Sequence, residues 1–237
     1  MILRRIPALL LATLVVAGCG AQGRAGEDGT SRLWVTKERG AVVLLDTTVP
    51  AGQTLLRALR SRADVATRYG GRFVQSIEGI EGSLARSSDW FWFVNGLTGD
   101  TSAAEYRLRP GDVAWWDYRD WSRDRELDVV VGAFPEPFLH GYSGKVRPAA
   151  VRYATPAQRA GAEAVARLIG AGSVEPAGTP VANDANLFEL VEGQPRFRAA
   201  LRTPGAGPET PVRFIFAGDA EELARNPRLA ERSFGLP

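Results

Sequence analysis

The run Trp90-Phe91-Trp92-Phe93-Val94, closed by Asn95-Gly96, limits the fold of this chain more tightly than any other stretch. Aromatic and β-branched residues in succession read as a strand. Asn-Gly supplies positive φ at little cost, so a tight turn follows. Alternate side chains of a strand face opposite ways, which puts Trp90 and Trp92 on one face and Phe91 and Phe93 on the other. All six tryptophans fall between Trp34 and Trp121. That shift in composition, with the alternating arginine and acidic residues before Leu127, separates a first unit, 32–122, from a second, 127–237.

Around the aromatic strand, Leu33-Trp34-Val35 and Ala41-Val42-Val43-Leu44-Leu45 flank Glu38-Arg39-Gly40 as a hairpin. Val49-Pro50-Ala51-Gly52 reads as a turn. The helix after it carries Leu55, Leu56 and Leu59 on one face and Arg57, Arg60 and Arg62 on the other. Arg72 to Ile80 is extended. Arg109-Pro110-Gly111-Asp112 is a further turn, ahead of the strand Val113-Ala114-Trp115-Trp116-Asp117-Tyr118. One helix on a mostly antiparallel sheet makes the fold class α+β.

The second unit reads as a small α/β domain, opening with an apolar strand from Leu127 to Val131 and another from Ala149 to Tyr153. A helix follows, with Thr155 and Gln158 as its capping box and Pro156 in the first position. Its inward face is expected at Ala157, Gly161, Ala164, Val165 and Leu168, and Gly170 stops it. Strands at Leu187–Val191, Phe197–Leu201 and Val212–Phe216 come next. Asp219 with Glu222 caps a last helix that Pro227 ends.

The string WFWFVNG, a spacer containing Tyr106, then LRPGD and WWDY, resembles the DUF4430 family, and VPAGQTLLRAL upstream matches that family's turn and first helix. The family is related to the C-terminal domain of transcobalamin and intrinsic factor. The resemblance, over about Leu33 to Trp121, implies a β-grasp module that holds a soluble small molecule outside the cytoplasm. In the cobalamin carriers an aromatic hairpin faces one side of the corrinoid. By position the matching contacts here are Trp90, Trp92, Asn95, Gly96, Leu97 and Thr98, with Tyr106 after the turn. Trp116 joins them on the paired strand.

The residues add their own argument. Trp90, Trp92, Trp115, Trp116 and Trp121 amount to more indole than a small core encloses. One sheet face beyond the helix should therefore present aromatic surface, and such patches mark binding sites. Two outcomes are open: the second unit covers that face, or it remains a ligand platform.

Composition removes most chemistry. His140 is the only histidine and Cys19 the only cysteine, so triads, His–Cys dyads, disulfides and multi-histidine zinc sites are excluded by counting. No catalytic residue, metal site or cofactor is expected, save a bound corrinoid on the strength of the resemblance. The D-x-H-x-x-G pattern of cobalamin enzymes is missing, since Phe138 stands where its aspartate would be. Gly141 to Lys145 satisfies neither a nucleophile elbow nor a phosphate loop. Asp112 and Asp117 read as turn-capping and strand-edge solvation. The formal charge of +2 equals the contribution of Arg4 and Arg5, and nucleic acid is not an expected partner.

Those two arginines precede an apolar run from Ile6 to Val16 and the small residues Ala17-Gly18 before Cys19. The run is well short of the ~20 residues that span a bilayer. The pattern resembles a bacterial lipoprotein signal, with residues 1–18 removed, Cys19 lipidated and 19–31 a flexible tether. The expected protein is a lipid-anchored lipoprotein on the extracytoplasmic face of the cell membrane. It would bind a small soluble ligand, a corrinoid or another vitamin, for a vitamin-uptake transporter. The alternative is a protein-interaction or scaffold module of the envelope, and an enzyme is not expected.

Overall fold

The computed structural model describes residues 29–122 and 127–235. The expected leader, Cys19 and the tether up to residue 28 lie outside them, as do residues 123–126, where the unit boundary was placed. The described chain is a mixed α+β protein dominated by strands.

Strands β1 (Thr30–Lys37) and β2 (Val42–Pro50) form the expected hairpin, turned by Glu38, Arg39 and Gly40, all at positive φ. Helix α1 (Leu55–Arg60) starts where the Thr54 hydroxyl accepts from the Arg57 N–H, and it buries Leu55, Leu56, Ala58 and Leu59. A small antiparallel sheet follows, built from β3 (Val65–Arg68), β4 (Phe73–Ile77) and β5 (Ile80–Glu81). Then come β6 (Ser88–Val94), β7 (Leu97–Thr98) and β8 (Val113–Asp120). The main sheet runs β2-β1-β8-β6-β7, antiparallel in three of its pairings, with β1 and β8 parallel at its centre.

Register decides what the tryptophans do. Trp92 faces Trp116 and Trp90 faces Tyr118 on the side of α1, whereas Phe93 faces Trp115 and Trp34 pairs with Trp115 on the other. Of the two open outcomes, coverage by the second unit holds for the face away from α1. On the second side Trp34, Phe93 and Trp115 pack with Val130 and Ala133 and with Phe234 from the end of the chain, and Trp115 is fully buried. Asp117 corrects a second expectation. It sits on a central strand rather than an edge, fully buried, and accepts hydrogen bonds from the Thr36 hydroxyl and the backbone N–H groups of Arg39 and Gly40. It therefore holds the β1–β2 turn.

Leu127–Val131 is not a strand. Since β7 is only two residues long, its pairing with this segment stops at one bridge, Leu97 to Val129, and a 3-10 turn begins at Val131. Helix α2 (Glu136–Leu139) and strand β9 (Ala149–Tyr153) lead to the Thr155/Gln158 capping box and α3 (Arg159–Ile169). Strands β10 (Ser173–Pro176), β11 (Asn186–Leu190), β12 (Arg196–Leu201) and β13 (Val212–Ala217) form a second sheet in the order β10-β9-β11-β13-β12, and α4 (Ala220–Arg225) follows. The buried stripe of α3 is Gly161, Ala162, Val165, Ala166 and Ile169, so Ala157, Ala164 and Leu168 lie off it. Gly161 packs on Ala220, where an added Cβ would approach to 2.8 Å, and that close helix contact rotates the stripe. Buried apolar residues from both halves join in one continuous core.

Candidate functional site

Strands β6 and β8 bring Trp90, Trp92 and Trp116 together on the α1 side, with the Trp92 and Trp116 ring centroids 6.5 Å apart. Helix α1 adds Leu56, the β3–β4 connection adds Gly71 and Arg72, and β4 adds Phe73 and Val74. Residues Thr98 to Ala103 close the remaining side. These walls enclose a cavity of about 250 Å³. The Trp92 indole rests directly on the backbone of Gly99, where a Cβ would lie 2.0 Å from two indole carbons. Larger depressions of about 610, 590 and 450 Å³ lie over α3/α4, on the outer face of the second sheet and beside the β1–β2 turn; the first two gather no aromatic ring and the third only Tyr118.

Most donors around the cavity are already engaged. Trp90 Nε1 is committed to the Ile80 carbonyl at 2.8 Å. Trp116 is 2% exposed, and its Nε1–H has no hydrogen-bond partner among the described residues. An unmet buried donor costs about 1–3 kcal/mol. Thr98 donates its hydroxyl to the Leu127 carbonyl. Arg72 is the one charged side chain in the wall among the described residues, paired at 2.6 Å with Glu105. Both partners are more than half exposed, so the pair contributes only ~0–1 kcal/mol.

The other expected site residues go elsewhere. Asn95 and Gly96 make the β6–β7 turn at φ 53 and 80, and Asn95 is fully buried. Its amide donates to Asp112 Oδ1 and to the Gly141 carbonyl, each at 2.8 Å, and its oxygen accepts from the Val113 N–H. Asp112 also accepts from the Arg109 N–H and the Tyr106 hydroxyl. Ser143 N–H donates to that hydroxyl, and the Tyr106 and Tyr142 rings lie 5.0 Å apart. Burial pushes the Asp112 carboxyl up, against the hydrogen bonds from Arg109 and Asn95. Burial and the neighbouring Asp112 charge push the Tyr106 phenol up as well. Asn95 and Tyr106 thus form an internal seam joining the hairpin to residues 141–143, while Gly96 and Leu97 pair with Val130 and Val129.

Of the eight expected ligand contacts, the structure gathers Trp90, Trp92, Thr98 and Trp116 at the cavity, places Asn95 and Tyr106 in the seam, and sets Gly96 and Leu97 against residues 129–130. Leu56, Arg72, Phe73, Thr101 and Ser102 also line the cavity and carry no local sequence signal for it. His140 Nδ1 lies 2.5 Å from Glu136 Oε2 and its ring packs against Gly111, while Lys145 turns away to Glu209. No group of three or more His, Cys, Asp or Glu side chains is placed to hold a metal ion among the described residues.

Fold and cavity together define a mixed α+β protein with a tryptophan-walled recess between its aromatic sheet and the β3–β4 connection. Residues 52–120 match the model of DUF4430, a domain of unknown function, as the aromatic run and its turns led us to expect. The match begins after β2, so the first hairpin lies outside it although it completes the same sheet. No curated protein matches the chain. Two solved structures are similar to it at 14% identity and a TM-score of 0.32. One is a Ruminococcus gnavus protein provisionally described as metal-binding, aligned over 39% of this chain and 98% of its own. The other is haptocorrin in complex with Cbi, aligned over 38% of this chain and 25% of its own.

Proposed function

We propose that this protein binds a small soluble ligand in the recess walled by Trp90, Trp92 and Trp116. The cavity itself carries the reading: a part-enclosed space with aromatic walls and a few polar groups is the usual form of a small-molecule site. Its 250 Å³ falls below the ~300–1,000 Å³ of pockets that enclose drug-sized ligands. A corrinoid would enter by one edge only, and a smaller molecule would be held whole. The surrounding module is read as a β-grasp, supported by the order β2-β1-β8-β6-β7, the parallel central pair and α1 following the first hairpin. With Cys19 lipidated, the protein would present this recess at the outer face of the membrane and deliver its ligand to an uptake transporter. Binding is the activity assigned; no reaction is.

The test is a thermal-shift and tryptophan-fluorescence screen of corrinoids and other water-soluble vitamins. Gly99→Ala, which drives a methyl into the Trp92 ring, should abolish any shift while the protein stays folded. A ligand bound equally well by this variant would sit elsewhere, and no response across the screen would defeat the reading. For the anchor, Cys19→Ser should release the protein from the membrane fraction; unchanged retention would exclude lipid attachment at that residue.

A scaffold role has one observation in its favour. Strand β2 is a sheet edge, and Val42, Val43 and Leu44 on it are 37–45% exposed. Unpaired edges recruit other strands. Charged replacements at Val43 that removed a co-purifying partner but spared ligand binding would favour that role.

A further inference from the structure

We infer that the ligand of the tryptophan recess is a flat aromatic anion, which rests on the reading of that recess as a binding site. Three features of the wall lead there. Indole faces and the half-exposed Phe73 ring at the mouth favour a planar π-system, since aromatic pairs gain beyond the area they bury. The one cationic donor in the wall among the described residues is the Arg72 guanidinium, beside the hydroxyls of Thr98, Thr101 and Ser102. No carboxylate lines the recess, and Arg72 is its one charge among the described residues.

Arg72 is suited to move. Its side chain is 69% exposed and its partner Glu105 is 51% exposed, so little is lost when the guanidinium exchanges Glu105 for a carboxylate on the ligand. The planar guanidinium fork accepts a carboxylate through two parallel bonds. Glu105 then acts as a competitor that keeps the cation in place while the recess is empty. A cationic ring would meet Arg72 with like charge and would find no acidic wall to compensate.

Indole-3-acetate, indole-3-acetamide and tryptamine share one ring and differ in charge, so they separate ring recognition from charge recognition. Titrated calorimetrically into the folded protein, the acetate should bind about twofold to fivefold tighter than the amide. Tryptamine should bind weakest. Arg72→Ala changes an exposed side chain and should bring acetate and amide to the same affinity. Glu105→Gln should tighten acetate several-fold and leave the amide unchanged. Equal binding of all three, or a preference for tryptamine, overturns the anion assignment and leaves the recess as a neutral or cation site. If none of the three binds, this inference fails, while the recess reading stands or falls on the vitamin screen.

Discussion

Asn95→Ala is expected to cost about 3–5 kcal/mol of folding stability, because three buried groups lose their partner at once. Asp112 loses one donor, the Gly141 carbonyl loses another, and the Val113 N–H loses its acceptor. Alanine also inherits a φ of 53, which a non-glycine residue adopts at a cost. Urea unfolding should show a lower midpoint at unchanged slope. A loss under 1 kcal/mol would mean the seam is solvated rather than buried. Asn95→Asp adds a diagnostic. Its carboxylate would face Asp112, whose pKa burial already raises. A carboxyl raised on folding contributes stability that is full below its unfolded value, near 3.8, and is lost as pH rises through the folded value. The Asp variant should therefore recover stability on acidification. Stability falling with acid in that variant would refute the arrangement.

Phe234→Ala should cost about 2–3 kcal/mol, below the ~3–5 kcal/mol of a fully buried aromatic truncation since the ring is only part-buried. Phe234 meets Trp115 and Phe93 edge-on at 5.2 and 5.5 Å, and the Arg39 and Arg119 guanidinium groups lie within 6 Å of its ring. Arg232 fastens the same segment through Asp46 at 2.6 Å. Gly40→Ala attacks the contact from the other side: its Cβ would fall 1.6 Å from the Arg232 carbonyl oxygen, at a φ of 86. Both variants should lower the melting temperature and make Trp34 and Trp115 accessible to acrylamide, with red-shifted emission. Native quenching and emission in both would show that the chain end is not what seals this face.

The local features were legible. Asn95-Gly96, Gly170 and the Thr155/Gln158 box were readable because turn and cap chemistry acts over a few residues, and the helix face at Leu55, Leu56 and Leu59 because three leucines allow one orientation. The α3 face was misread because its alanines and glycine are nearly equivalent in hydropathy; contact with Ala220 chose among them. Strands β3 and β10, four residues each, carry too short an alternation to be seen. Asp112 was read as a turn cap, which it is. Its bond to Asn95 joins residues on two different turns and leaves no local mark.

By itself the amino-acid sequence determined the strands with aromatic alternation, the turns between them, the α+β class and the DUF4430 resemblance. Each of these follows from side-chain sterics and hydrogen bonding within a short stretch. Tertiary structure alone decided which indoles line a recess and which are sealed. That choice depends on β1 pairing with β8, on the β3–β4 connection reaching over Trp92, and on the last residues returning to cover Trp115. Such contacts join residues far apart in the chain, and their free energy comes from removing shared apolar surface from water, a quantity that no single segment possesses.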